Sequence, residues 1–569
     1  MHLLRTETRS LDEAEAAIDL AQTPADLVFL SFSDSDLGLF AKVSEGRATN
    51  LRLANIAQLK HPFSVDLYIE KMASKARFVL VRLLGGLDYW RYGIEELSLT
   101  ARAQNFDLAV IPGDDREDLR LDAASTLPVA DLRRLWAYLH NGGIANLCEL
   151  LNWIENRIGE PRPWRDPCPV AIADRFEAGC REPAFALGRV LIVFYRSFML
   201  SGDCEPIIAL ADALASRKLC VTAVHVTSLK DADVISFMRD VIAQEPPDII
   251  INTTAFSARL DSGPSILDCA DAPVLQAILA GSFQAQWEAN PRGLNAADLA
   301  MNVVLPEMDG RIITPAIAFK AEAERHEDLE FTPLVHLPLP SRIDHVSELA
   351  WRWIYLRKTP PAQRKIACIL SDYPGKGGRA GYAVGLDTGK SISSIAAVLR
   401  EAGYDIGALP DPGSLMRKLE AGEPNALFTL EDYRDALRAM PEAFVQSVHA
   451  RWGEPEQDEN VTDGAFHFSF VRAGHLLIGL QPDRGSRTNR KAEYHGGLAP
   501  RHSYIAFYLW LRVHEKVHAL IHCGTHGTLE WLPGKAVALS ECCTPEAVLG
   551  AIPVIYPFIV NNPGEAAQA

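Results

Sequence analysis

The chain has 569 residues, 48% of them hydrophobic and 23% charged, with a formal net charge of −17. This balance is ordinary for a globular protein and excludes a disordered or fibrous chain. The acidic excess argues against nucleic acid or an anionic membrane as the main partner. The opening MHLLRTETRSLDEAEAA lacks the apolar core of a signal peptide, and no stretch nears about 20 uncharged apolar residues, so no membrane span is expected. Ten cysteines are scattered without a C-x-x-C pair, and the adjacent Cys542 and Cys543 complete no zinc pattern, so reduced thiols in a cytoplasm are expected.

The length predicts roughly three to four domains. In chain order, apolar runs at 27–33, 78–84 and 106–112 read as strands with helical stretches between them, and a helix pair around Asn141-Gly142-Gly143 closes this first region. Prolines at 161, 163, 167 and 169 mark a linker. Runs at 190–195, 221–226 and 248–253 read as buried strands, and 301–320 predicts a further strand or a hairpin around Asp309-Gly310. A helix is expected over 347–358, then a break at Thr359-Pro360-Pro361, a new strand at 365–371 and another at 476–480. The expected architecture is α/β, with several domains of mainly parallel sheet flanked by helices: 1–165, 166–360 and 361–569. No short internal repeat is evident.

Nucleotide binding by this chain is not expected. Gly385 and Gly389 precede Lys390-Ser391 but enclose only three residues, where a phosphate-wrapping P-loop needs four. The glycine cluster from Tyr373 to Gly378 follows a strand and reads as a surface loop or an anion nest.

The chemically dense segment is HEKVHALIHCGTHGTLEWLPGK, where His514, His518, His522, His526 and Glu530 recur at every fourth position. On one helix they would form a ladder along one face. Gly524 and Gly527 weaken that helix, and the apolar run 517–522 reads better as a buried strand entering a glycine loop. Ligands of open α/β sheets bind beyond the carboxyl ends of the strands, where this loop would lie. His514-Glu515-Lys516-Val517-His518 also matches the H-E-x-x-H zinc-hydrolase motif, which requires a helix that this segment lacks. The other two readings are a ligand site at His522, His526 and Glu530 and a hydrogen-bonded loop without a ligand.

HCGTHGTLEWLPGK resembles the signature of the large subunit of cobaltochelatase (CobN) and its magnesium-chelatase relatives. So do FLSFSDSDL (29–37), VRLLGGLDYWRYGIEEL (81–97), FYRSFMLSGDCEPIIALADAL (194–214), DLAMNVVLPEMDGRIITPAIAFK (298–320), GYAVGLDT (381–388), YHGGLAPRHSYIAFYLWLR (494–512) and YPFIVNNPGEAAQA (556–569). Family members continue for several hundred residues beyond the last of these blocks, so the resemblance implies the N-terminal part of a large subunit, incomplete at the C-terminus. It implies a cytoplasmic enzyme that inserts Co²⁺ into hydrogenobyrinic acid a,c-diamide in cobalamin synthesis. ATP-Mg²⁺ would be used by partner subunits, the AAA+ ATPase CobS and its companion CobT. Magnesium-chelatase relatives share the HGT-x-EW core, so that core does not select the metal, and the cobalt reading rests on the other blocks, especially 298–320 and 381–388. A magnesium-chelatase-type subunit and a non-catalytic tetrapyrrole-binding fragment are the alternatives.

The residues suit such chemistry, because the ring must lose two N–H protons and the metal its water. Glu530 is the expected base or metal conduit, with His522 and His526 as metal ligands or relays. Arg484, Tyr494, His495, Arg501, His502, Trp531 and Lys535 are expected to bind substrate, the arginines by bidentate pairing with acidic groups and Trp531 by stacking. His514 and His518 are expected to be structural.

Overall fold

The computed structural model describes residues 17–114, 116–260, 263–371, 381, 386–485, 497–524 and 529–557. Three open sheets follow one another along the chain. The first contains β1 (Leu27–Ser31), β2 (Leu51–Asn55), β3 (Phe78–Leu83) and β4 (Asp107–Pro112), all parallel, in the order β2-β1-β3-β4. Helices cover both faces, so the central strands are nearly continuous apolar runs such as LVFLS and FVLVRL. The helices Val129–Asn141 and Gly143–Arg157 meet at Gly142, whose φ of 65° supplies the left-handed turn between them.

The second sheet has β5 (Ala173–Arg175), β6 (Gly188–Tyr195), β7 (Leu219–Val226), β8 (Ile249–Asn252), β9 (Val274–Phe283), β10 (Ile312–Glu322) and β11 (Leu334–Pro338). Its order is β11-β10-β9-β8-β6-β7-β5; the five inner strands are parallel and the two edges antiparallel. The third sheet contains β12 (Ile366–Leu370), and a small antiparallel sheet of β13 (Ala426–Thr429), β14 (Val461–Thr462) and β15 (Ala465–Phe468) packs nearby. β16 (Phe470–Ala473), β17 (Leu476–Leu480), β18 (Ala519–Cys523) and β19 (Val554–Ile555) complete the third sheet, in the order β16-β17-β12-β18-β19, with only β16 antiparallel.

All three parallel arrays share one plan. A first strand is laid down, the next joins one side, and the chain then crosses to the other side. The reversals fall between β1 and β3, β6 and β8, and β12 and β18. At such a point the connections diverge to opposite faces and leave a crevice beyond the carboxyl ends.

Two expectations change. Residues around Asp309-Gly310 form no hairpin: a π-helical turn at Ala300–Val304 and a short helix at Leu305–Glu307 lead through Gly310, at φ 75°, into β10. β2 and β9 were not expected as strands. β2 reads LRLAN, with a buried Arg52 whose charge is met by Glu330 across 3.1 Å, and this pair also ties the first sheet to the loop before β11.

Candidate functional site at the third sheet

The register of the third sheet places Leu370 opposite both Leu480 and Cys523. Three loops therefore leave the sheet side by side. Gln481 N–H donates to Leu370 O at 3.0 Å, which holds the loop after β17 against β12. The loop after β18 carries the glycine motif, so the expected strand, its end at Cys523 and its exit at a carboxyl edge are all present. The crevice is the reversal point of this sheet.

Behind these loops lies the helix His502–Leu509, buried on every side between the parallel sheet and the small antiparallel one. A helix apolar all round belongs in a core, and its tyrosine hydroxyls then need internal partners. Tyr508 Oη donates to Gln481 Oε1 at 2.5 Å and lies 3.4 Å from His522 Nε2; Tyr504 Oη reaches the same Gln481 oxygen at 3.4 Å. His522 is 4% exposed, and burial lowers its pKa to about 4, so the ring is neutral at physiological pH. Gln481, Tyr508 and His522 thus form a buried, uncharged polar chain under two of the three loops. The part of Tyr508 was not anticipated. Its signal was a tyrosine inside the largely apolar stretch YIAFYLWL.

The remaining expected residues separate by environment. Arg484 and Trp531 line a small hollow with Trp452, Gly485 and 497–499. Gly497, Leu498 and Ala499 also line a cleft of about 580 Å³, whose wall includes Ser447, Arg451, 533–535, Ser540 and 542–544. The cleft runs to Glu288, Ala289 and Pro291, in the segment after β9, so it lies between the second and third sheets. Such junctions are common places for ligands.

Three other expected substrate contacts are engaged internally. His502 is fully buried, with Nδ1 2.8 Å from Tyr433 Oη and Nε2 2.9 Å from Gly453 O, so neither ring nitrogen remains for a ligand. Arg501 is 6% exposed and pairs with Glu459 and Asp458 over the Trp452 ring. Lys535 lines the cleft, but its ammonium donates to the carbonyls of Trp287, Glu288 and Asn290 at 2.6, 2.9 and 3.1 Å and so uses all three donors. These carbonyls end the helix Gln284–Ala289, where a cation is favoured. Lys535 thereby fastens the loop of the third sheet to the second. Tyr494, His495, His526 and the side chain of Glu530 lie outside the described residues; the backbone of Glu530 lies in the helical turn Leu529–Trp531. The glycine cluster 373–378 and Gly385 also lie outside them.

The H-E-x-x-H reading fails on geometry. After Leu509 the helix widens into a π turn, Trp510–His514, and Lys516 at φ 55° breaks it between the two histidines. Glu515 forms a bidentate pair with Arg472 at 2.8 and 2.9 Å, and His518 Nδ1 accepts from Lys365 N–H. Lys390 lies in the first turn of the helix Thr388–Glu401, exposed and paired with Asp387 at 3.0 Å. Among the described residues no group of three or more His, Cys, Asp or Glu is arranged to hold a metal ion. No helix among them is long and apolar enough to cross a membrane.

Comparison with known proteins accords with this picture. Residues 136–569 match the family described as CobN/Magnesium Chelatase. The whole chain is 40% identical to the aerobic cobaltochelatase subunit CobN of a Sinorhizobium species, of which it covers 47%, and 39% identical to that of Pseudomonas aeruginosa, of which it covers 48%. Over 76% of its length it is 27% identical to a magnesium-chelatase subunit of Rhodobacter capsulatus, covering 39% of that protein. Among solved structures, the catalytic subunit of cobaltochelatase from Mycobacterium tuberculosis matches 96% of the chain and 46% of its own length, at 30% identity and a TM-score of 0.80. The chain thus spans about half the length of the CobN relatives it matches. A shared fold, a motif at the reversal point of the third sheet and 40% identity over the whole chain lead to one conclusion: this chain belongs to the CobN/magnesium chelatase family.

Proposed function

We propose that this chain forms the tetrapyrrole-holding half of an ATP-dependent cobaltochelatase large subunit. Its substrates are then hydrogenobyrinic acid a,c-diamide and Co²⁺. The observation that supports this reading is the register of β12, β17 and β18, which sets the ends of β17 and β18 side by side, with Arg484 and Trp531 lining one hollow that shares residues with the cleft between two sheets. Identity to cobaltochelatase subunits exceeds that to magnesium-chelatase subunits, 40% against 27%, which favours cobalt.

In this reading the ring lies in the cleft with Trp531 and Trp452 at one end, where aromatic faces suit a flat macrocycle. Arg484 meets an acidic or amide side group. Glu530 accepts the ring N–H protons, a task for which a carboxylate is a suitable general base. His526 ligates or relays Co²⁺ as it enters the ring. His522 is neutral and keeps its imidazole available for a hydrogen bond or a metal, and the Tyr508–Gln481 pair orients it. ATP hydrolysis is supplied by an AAA+ partner and its companion subunit, CobS and CobT, in the cytoplasm.

An absorbance titration of the 569-residue chain with the metal-free corrin tests the binding half of this reading. A saturable shift that survives Glu530→Gln, with loss of ATP-dependent cobalt insertion in the assembled complex, supports it. Unchanged insertion in the Glu530→Gln complex refutes the assigned chemistry.

A further inference from the structure

A second cavity lies well outside the cleft and shares none of its lining residues. It has a volume of about 760 Å³ and sits where the first and second sheets meet. Its wall is largely apolar: Ile144, Val170, Phe176, Met199, Ile208 and Leu337. A monomeric core is normally filled to crystal-like density, and an accessible apolar hollow of this size is the usual form of a small-molecule site.

Its polar features converge. His336 on β11 lines the cavity and is 8% exposed. Asp203 grips it twice, with Oδ2 2.6 Å from Nδ1 and Oδ1 accepting the His336 backbone N–H at 2.9 Å. The carboxylate fixes the proton on Nδ1 and leaves Nε2, on the other edge of the ring, to accept or share a proton. Nε2 makes no hydrogen bond to a described residue. The 15-residue helix Gly143–Arg157 begins at the cavity wall, and its N-cap Gly142 offers no side-chain acceptor, so its first N–H groups add positive potential. Lys42 stands on the same wall with its ammonium 3.4 Å from Gly202 O, and the acidic Glu205 on the rim is solvent-exposed.

We infer that this cavity binds an amphipathic carboxylic acid, its apolar body against Ile144, Met199 and Leu337 and its carboxyl sharing a proton with His336 Nε2. The imidazole then lies between two carboxylates, that of the ligand and that of Asp203. The first turn of Gly143–Arg157 and Lys42 offset the added negative charge. The fatty-acid type of ligand fits this chemistry, whereas a polyanion would meet too few donors.

The test is calorimetric titration of the 569-residue chain with dodecanoate and, in parallel, dodecanol. The expected result is saturable 1:1 binding of dodecanoate, with the alcohol at least 10-fold weaker. In His336→Gln that gap closes to about 2-fold. Ile144→Trp, which fills the cavity from an exposed wall position, weakens both ligands at least 10-fold without shifting the thermal midpoint. Absence of dodecanoate binding overturns the inference, as does equal affinity for acid and alcohol in the unsubstituted chain, or binding that Ile144→Trp leaves intact. The metal-free corrin titration is unaffected by Ile144→Trp, which keeps this site distinct from the cleft.

Discussion

The second and third sheets reverse their strand order in the same way, yet the polar groups near the two reversals differ. At the end of β8, next to the reversal between β6 and β8, Asn252 Nδ2 donates to Gln276 Oε1 near the start of β9 at 2.8 Å, Gln276 Nε2 to Thr254 O at 2.9 Å, and Thr254 Oγ1 to Asn252 Oδ1 at 2.9 Å. Arg311 joins Gln276 at 2.8 Å and Asp309 at 3.1 Å, with both charged side chains 2% exposed. These polar groups satisfy one another at that seam. At the carboxyl ends of β17 and β18 the buried chain Gln481–Tyr508–His522 is uncharged and short. One topology therefore carries a charged, mutually paired joint in one sheet and a short uncharged chain in the other.

This contrast can be broken in four ways, in order of decreasing effect. Arg311→Met leaves Asp309 as a buried carboxylate without its ion-pair partner, and the expected loss is about 3 kcal/mol in urea unfolding; a loss below about 1 kcal/mol would show the joint is not sealed by that pair. His522 tests the third sheet by pH. Its folded-state pKa of about 4 lies below the ordinary 6.5 because burial disfavours the cation. The unfolded chain therefore takes up the proton first as pH falls. The contribution is complete above about pH 6.5 and declines towards pH 4, by up to about 3 kcal/mol. Urea midpoints across that range should slope less in His522→Gln than in the unsubstituted chain.

Glu530→Gln should slow cobalt insertion by the assembled complex about 100-fold, the lower range for loss of a general base, while the corrin titration of the chain is unchanged. The smallest effect is expected for Tyr508→Phe. It removes the hydroxyl held by Gln481 and should cost about 1 kcal/mol of stability, with only a few-fold loss of insertion rate. A rate loss as large as that of Glu530→Gln would place Tyr508 in the chemistry itself.

Much of this was legible along the chain. Inner strands such as β6 and β12 bury both faces, so they appear as unbroken apolar runs, and β17 matched the expected bounds of Leu476–Leu480. β2 was hidden because its Arg52 breaks the apolar run, and the residue that neutralises it, Glu330, is 278 positions away. The same distance effect governed the site. The glycine loop after β18 was evident from HCGTHGTLEW, but Arg501, His502 and Lys535 looked free for a ligand because their partners at Asp458 and Glu459, Tyr433 and Gly453, and 287–290 are remote in sequence.

By itself the sequence determined the α/β class, most of the inner strands and the histidine-glycine family motif, because these depend on local periodicity and on residue types at short spacing. Only the tertiary structure decided which polar side chains are spent on internal partners, that three strand ends share one register, and that two cavities lie at the junctions between sheets. Those outcomes depend on contacts between distant segments, where a buried donor or charge is stable only beside the partner that folding brings to it.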